Sequence, residues 1–300
     1  MRIAILTDSR YVSPATDDPY NCQILLEEAW LGRFLQEAGA SVARVAWSDP
    51  GVDWSSFDAA VLRSTWDYFE RFDEFAPWLE RVSSQTRLFN SAALVRWNMD
   101  KHYLLDLERQ GVLIVPTAAL EAGSRASLKS VLDERGWERA VMKPAVSGAA
   151  RLTFRVDQEN IEEREPLFAQ CVEREAMLVQ PFIPSVMERG EVSLIVVDGR
   201  CTHAVRKVPR SGDFRVQDDH GGTVHHFEPS DVERAAAERA VAACLETPLY
   251  ARVDLVDDGG SPRLMELELI EPELFFRFCP MAAGRLAAAV CAALETSSLL

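Results

Sequence analysis

An unbroken apolar run at Ile3–Leu6 is followed by a turn-rich stretch, SPATDDPYN, and then by apolar positions at helical spacing from about Ile24 to Glu37, stopped at Gly39. Two further apolar runs, SVARVAW and AAVLRS, alternate with helical pattern, and this order predicts a parallel α/β layer through roughly residue 90. Residues 91–112 read as a linking helix, with Gly111 and Pro116 marking the next boundary. A second unit then has a helix near 124–135, the strand RAVMK, a loop, the strand RLTFRV, a helix near 160–174 and the strand AMLVQPF. In the third, EVSLIVVDG turns at Asp198-Gly199 into CTHAVRKV as a hairpin, a helix follows from about Asp231 to Glu246, and the strands LYARVDLV and RLMELEL flank the turn DDGGSP. The pattern closes with a helix over Ala282–Leu294, interrupted by Arg285, which fits a core or an interface such as that of a homodimer and does not fit a membrane span. Three units result, at residues 1–95, 96–184 and 185–300.

Composition narrows the partners. The 300 residues are 48% hydrophobic and 26% charged, an ordinary globular balance with enough apolar surface for a substantial core. A formal charge of -15 argues against a nucleic-acid interface, so an anionic ligand has to meet a local basic pocket. Only IAIL follows Met1 and Arg2, too brief for a signal peptide or a membrane span, and a cytoplasmic setting is expected. The six cysteines show no C-x-x-C pair or zinc-like spacing and are expected as free thiols.

Candidate chemistry begins with a basic run in this acidic chain. Lys207, Arg215, Gly221 and Gly222 share the segment HAVRKVPRSGDFRVQDDHGG, which holds two cations at fixed separation. Downstream, residues two apart on a strand share a face, so Arg252 points with Asp254, and Glu266 with Glu268. Pairing across DDGGSP would converge three carboxylates, a set of hard oxygen donors without His or Cys that selects magnesium or manganese; a solvent-facing edge of alternating charge is the competing reading. Lys143 ends a strand beside the small-residue loop Ala145–Ala150, which lets backbone N–H groups approach a phosphate, or else is a plain strand-to-turn junction. Lys101 stands behind Asp100 at a helix start. His220, His225 and His226 fall in a Gly-rich segment without a metal pattern, and no P-loop, G-x-G-x-x-G or G-x-S-x-G sequence is present. Arg63-Ser64-Thr65-Trp66-Asp67-Tyr68 follows the third strand, where α/β proteins bind ligands; it reads either as a substrate-recognition loop or as a capped helix start with Trp66 in the core.

Taken in order, Lys101, Lys143 with its loop, VQPFIP, the run Lys207–Gly222, and Asp254 with Glu266 and Glu268 resemble the nucleotide site of the ATP-grasp ligases, from about Lys101 to Glu271. VQPFIPSVMERGEVSLIVVDG with K-x-x-x-x-G-D-F-R is similar to bacterial glutathione synthetase and the ribosomal-protein glutamate ligases, and E-x-E beginning 12 positions after Asp254 is similar to the superfamily's D-x-E-x-N set. The resemblance implies an α/β ATP-grasp fold with an N-terminal Rossmann-like domain, a central lid subdomain and a C-terminal catalytic subdomain. It implies ATP and two magnesium ions, with Lys101 and Lys143 on the α and β phosphates, Ser147 and Gly148 in the lid, Gln180 and the backbone of Phe182 and Ile183 on adenine, and Glu191 on ribose. Lys207 and Arg215 would neutralise the transferred phosphoryl group, and Arg252 would steady the acyl phosphate. The lid reads S-G-A-A where relatives carry more glycine, and Glu268 replaces the usual asparagine. Arg63–Tyr68, HAVRK and ELELIEP are similar to a small group within the superfamily that closes the ring of D-cycloserine from O-ureido-D-serine. The implied activity is a ligase that makes an acyl phosphate of a small amino-acid-like substrate for attack by nitrogen; a nucleotide-binding sensor without ligase activity is the competing class.

Overall fold

Both faces of strand β1 (Arg2–Thr7) are covered, which is why Ile3–Leu6 carries no polar residue. It pairs in parallel with β2 (Ser41–Ala46) and β3 (Ala59–Ser64), and β3 pairs with β4 (Arg87–Phe89), giving the order β2-β1-β3-β4. On one face Ile3, Ile5, Val61 and Phe89 meet Leu31 and Leu35 of helix Pro19–Glu37 and Leu286 and Val290 of helix Pro280–Ser297. On the other, Leu6 and Leu62 pack with Trp47 and with Phe75, Trp78 and Leu79 of helix Phe72–Ser83. Helix Pro19–Glu37 starts upstream of its apolar pattern because Asp18 caps it, accepting from the Tyr20 N–H, and Pro19 occupies the first turn. The computed structural model describes residues 1–148, 150–210, 212–213, 215–216 and 221–297; Ala149 of the expected lid, Phe214 and Gln217 of the basic run, and His220 lie outside the described residues.

A second, antiparallel sheet is formed by β5 (Ala118–Leu120), β6 (Arg139–Pro144), β7 (Phe154–Asp157) and β8 (Met177–Pro181), in the order β5-β8-β6-β7. Helices Leu128–Arg135 and Ile161–Arg174 cover it, burying Leu132, Phe168 and Val172 against Met142, Val156 and Val179. The strand expected from Arg151 begins only at Phe154, because Ala150 and Leu152 take positive φ in a turn.

The third sheet, also antiparallel, comprises β9 (Glu191–Val197), β10 (Arg200–Val208), β11 (Thr223–Phe227), β12 (Tyr250–Asp258) and β13 (Ser261–Glu268), ordered β11-β10-β9-β12-β13. Asp198 and Gly199, at φ 50° and 69°, make the two-residue turn between β9 and β10. His225 and His226 lie on β11, an exposed edge strand, and not in a glycine-rich loop. One face of the sheet (Leu194, Val196, Val253, Leu255) packs on Ala237, Ala240 and Val241 of helix Asp231–Ala242. At one end of the opposite face, Ile195, Val197, Val205 and Tyr250 enter the core shared with the N-terminal sheet and helix Pro280–Ser297, so the closing helix is a core helix. The other end of that face carries Glu191, Ser193, Lys207, Arg252, Asp254, Glu266 and Glu268.

Residues 91–112, expected as one helix, form two: Ala92–Asn98 and Tyr103–Arg109. The break lets side chains cover the edge of β13 and the start of the following segment: the Asn98 amide donates to Leu267 O (2.8 Å) and accepts from Leu269 N–H (2.9 Å), and the Tyr103 hydroxyl accepts from Leu267 N–H (2.9 Å). Within the break the Lys101 N–H donates to Ala145 O at 2.9 Å. Among the described residues no helix is long and apolar enough to cross a membrane. The six cysteines are free.

His203 anchors the segment after β13, its Nε2–H donating to Leu274 O at 3.0 Å. Burial pushes the imidazole down to about 4 from its ordinary 6.5, against the pull of the backbone carbonyls beside it. The unfolded chain therefore binds the proton first, so this contribution to stability is complete above pH 6.5 and is lost as pH falls toward 4, at up to roughly 1.4 kcal/mol per pH unit. Denaturant titrations across that window should show a shallower loss for His203→Gln than for the wild type; parallel losses would contradict this assignment.

Candidate active site

Register builds the site. Arg252 lies opposite Glu268, Asp254 opposite both Glu266 and Ser193, and Lys207 opposite Glu191, so side chains from four adjacent strands emerge together. They form the floor of a cavity of about 470 Å³. Its roof includes Val141, Lys143 and Gln180 of the second sheet, and its side wall includes Tyr11, Tyr20, Trp66, Tyr68 and Phe69 of the N-terminal unit.

The floor is a ladder of alternating charge. Lys207 Nζ stands 2.5 Å from Glu191 and 3.2 Å from Asp254; Arg252 stands 3.0 Å from Asp254 and also pairs with Glu268; Lys101 stands 3.1 Å from Glu266. The Ser193 hydroxyl donates to Asp254 as well. Asp254, Lys207, Lys101 and Glu191 are all buried, and burial alone would neutralise each of them. Asp254 resists this: burial raises its proton affinity, but Arg252 and Lys207 outweigh that and hold the carboxyl down at about 2. Lys207 likewise stays charged, since Asp254 and Glu191 overcome its desolvation. Glu268 is pushed up to about 7 by burial and by Glu266 and Asp254, in spite of Arg252. Lys143, buried and beside Lys101, is shifted down, and among the described residues it makes no ion pair.

Asp254, Glu266 and Glu268 emerge on one sheet face, as expected. Among the described residues no three carboxylate, His or Cys side chains gather closely enough to hold a metal ion together, because each of the three is drawn to a cation instead. Arg215 lines the cavity with its guanidinium on Asp213 (2.7 Å). Gln180 Nε2–H donates to the Thr117 hydroxyl (2.9 Å). The Phe182 N–H, one of the backbone groups expected on the adenine edge, is committed to Arg139 O at 2.9 Å, while Ile183 lines the cavity. Ser147 donates to Pro144 O, and its carbonyl receives the Lys101 ammonium. A Cβ at Gly148 would lie 2.5 Å from the Phe69 ring, so a larger residue there would force that ring or the loop to shift.

The run Arg63–Tyr68 divides. Trp66 and Tyr68 face the main cavity. Arg63, read as a substrate contact, is 3% exposed; it pairs with Glu27 (2.7 Å) and donates to Pro272 O. Ser64 is bound to Glu28 and to the Thr7 hydroxyl (2.6 Å), Thr65 is fully buried, and Asp67 accepts from Trp47 Nε1–H (2.6 Å) and from Arg71 (2.9 Å). The reason is that β3 ends beneath helix Pro19–Glu37, whose buried Glu27 and Glu28 demand partners. Pattern reading did not single out Tyr11, Tyr20, Phe69 or Glu271, which also line the cavity; the Glu-Pro break after the alternating ELEL was the available signal for Glu271.

Arg63 therefore holds the fold. Arg63→Met strands the Glu27 carboxylate in the interior and should cost about 3–5 kcal/mol of unfolding free energy, with a substantial part recovered in Arg63→Met/Glu27→Leu. A single variant of near wild-type stability in denaturant titration would contradict this.

Residues 3–90 match the family of the D-cycloserine synthetase DcsG N-terminal domain, and residues 112–273 match the ATP-grasp domain of prokaryotic glutathione synthetase. Over a 307-residue alignment the chain is 34% identical to the cycloserine biosynthesis protein DcsG of Streptomyces lavendulae, covering 96% of this chain and 97% of that protein. A glutathione synthetase of Rhodopseudomonas palustris is 28% identical over 214 residues, which cover 69% of this chain and 64% of that enzyme. Among solved structures, D-cycloserine synthetase DcsG superposes with a TM-score of 0.87 at 31% identity, over 98% of this chain and 100% of that one. The D-alanine–D-alanine ligase of Bacillus anthracis complexed with ATP shares the fold, with a TM-score of 0.67 at 16% identity, over 99% of this chain and 98% of that one.

Proposed function

Because the chain belongs to the ATP-grasp ligases, joining the ATP-grasp domain of prokaryotic glutathione synthetase to the N-terminal domain of D-cycloserine synthetase, we propose that it closes the ring of D-cycloserine from O-ureido-D-serine at the expense of ATP. The observation that carries this reading is that the likeness to DcsG runs the whole length of both chains, including the N-terminal unit whose Trp66 and Tyr68 close the cavity over the charged floor.

In this reading ATP lies between the second and third sheets. Lys101 and Lys143 take the α and β phosphates, Ser147 and Gly148 cover them, and Gln180 and Ile183 meet adenine beside Phe182, with Glu191 on ribose. The substrate carboxylate attacks the γ phosphorus, ADP leaves, and an acyl phosphate results. The oxygen-bound ureido nitrogen of the same molecule then attacks the acyl carbon, losing its proton as phosphate departs, and the carbamoyl group it still carries is removed by water, leaving as carbon dioxide and ammonia, to give D-cycloserine. Lys207 and Arg215 neutralise the transferred group, and Arg252 steadies the oxyanion formed on attack. Phosphoryl transfer asks a protein chiefly for position and charge, so no side-chain nucleophile is needed. Ring closure gains further because both reacting groups arrive in one molecule.

The family uses ATP with Mg²⁺, and the donor chemistry of Asp254, Glu266 and Glu268 suits a hard divalent ion, manganese included. Two such ions, when bound, would be held by these carboxylates and would neutralise the charge of the phosphates. Glu268 in place of an amide supplies one more negative charge to them. The division at residues 1–95, 96–184 and 185–300 belongs to the same proposal, as does a cytoplasmic setting where ATP is available. A homodimer is not required, since every residue invoked lies on one chain.

Incubation with ATP, Mg²⁺ and O-ureido-D-serine should yield ADP together with D-cycloserine, identified by mass. ADP that appears only when a second amine is supplied, with a product joining both molecules, would replace ring closure by intermolecular ligation. Nucleotide binding without ADP formation from any amino acid would favour the sensor class and overturn the ligase reading.

A further inference from the structure

We infer that Glu271 seats the ammonium group of an amino-acid-like substrate, an inference that rests on the ligase reading above and adds to it a recognition site. Among the buried and part-buried carboxylates lining the cavity, Glu191, Asp254, Glu266, Glu268 and Glu273 each have a cationic partner within the chain. Among the described residues Glu271 forms no ion pair, although it lines the same cavity. Glu70, the remaining cavity carboxylate, is exposed and solvated.

The backbone around Glu271 is fixed from outside the cavity. Trp66 Nε1–H donates to Glu271 O at 2.9 Å, Arg63 donates to Pro272 O, Leu274 N–H donates to Glu27 at 2.8 Å, and His203 holds Leu274 O. The segment thus needs nothing from the Glu271 side chain, whereas the chain spends two buried residues, Arg63 and Glu27, on holding that segment in place. A carboxylate half removed from water without an ion-pair partner is costly: burial and then Glu268 raise its proton affinity well above the ordinary range, and Lys101 and Arg252, already paired with Glu266, Asp254 and Glu268, offset this only in part. A cation arriving with the ligand relieves both effects.

The adjoining wall suits such a cation. Tyr11 and Tyr20 pack on Trp66 with ring centroids 5.5 and 6.0 Å away, and aromatic faces attract an ammonium group. Lys207 and Arg252 line the same cavity on the sheet floor, so an amino acid with its carboxylate toward them can turn its amine toward Glu271.

The test measures substrate-stimulated ADP release by the wild type and Glu271→Gln, using O-ureido-D-serine and a set of free amino acids, each beside the acid lacking the amine. The wild type should prefer amine-bearing acids, and Glu271→Gln should raise KM for them about ten- to a hundredfold, the effect of removing a charge-assisted hydrogen bond. KM for the deaminated acids and the affinity for ADP should stay within about twofold, the latter also showing that the variant is folded. An unchanged KM for amine-bearing acids, or a fall in kcat shared equally by both classes, overturns the inference. If O-ureido-D-serine is inert while another amino acid shows this Glu271 dependence, the ring-closure reading falls and the ammonium site stands. Absence of stimulated ADP release from every acid overturns both.

Discussion

Buried charge governs this molecule. Lys101, Lys207 and Arg252 and the carboxylates Glu191, Asp254, Glu266 and Glu268 converge on one end of one sheet face, where any of them left alone would cost several kcal/mol. For Lys207 and Arg252 the strands solve this by register, setting each against a carboxylate on its own strand or the next, while Lys101 meets Glu266 from the break between two helices. The same face solves a different problem at its other end, where Ile195, Val197, Val205 and Tyr250 are sealed by the N-terminal sheet and the closing helix. A rigid apolar half therefore holds a polar half in position.

This compensation bears on function. A polyphosphate that draws Lys101, Lys207 and Arg252 to itself leaves Asp254, Glu266 and Glu268 without partners, and a divalent cation then becomes their natural replacement. Conversely, a cation that takes the carboxylates frees the lysines and the arginine for phosphate. In the proposed reaction, nucleotide and metal thus favour each other's binding through a shared set of ion pairs.

Much of this was legible in the sequence. The alternation through LYARVDLV and RLMELEL, with a tight turn between them, suffices to put Arg252, Asp254, Glu266 and Glu268 on one face. What the pattern could not give is the partner of each charge, since Lys101 reaches Glu266 across 165 positions of chain and Lys207 reaches Asp254 across 47. The same limit explains Arg63: a guanidinium at a strand end resembles a ligand contact until Glu27, 36 positions earlier on a helix, is known to lie beneath it. The break at Met99–His102 was foreshadowed by Asn98 and Asp100, residues that favour caps and turns over helix interiors, yet apolar spacing alone carried the helix through it. Glu271 escaped attention because it stands just past the alternation that revealed its neighbours, in a segment whose geometry is set by Trp66, Arg63 and His203.

Calorimetric titration of ADP with and without Mg²⁺, and of Mg²⁺ with and without ADP, tests the exchange of partners most directly. The account predicts that each strengthens the other by the same factor, about tenfold or more, as linkage requires of two ligands that release one set of ion pairs. Independent binding, with affinities unmoved by the other ligand, would contradict it.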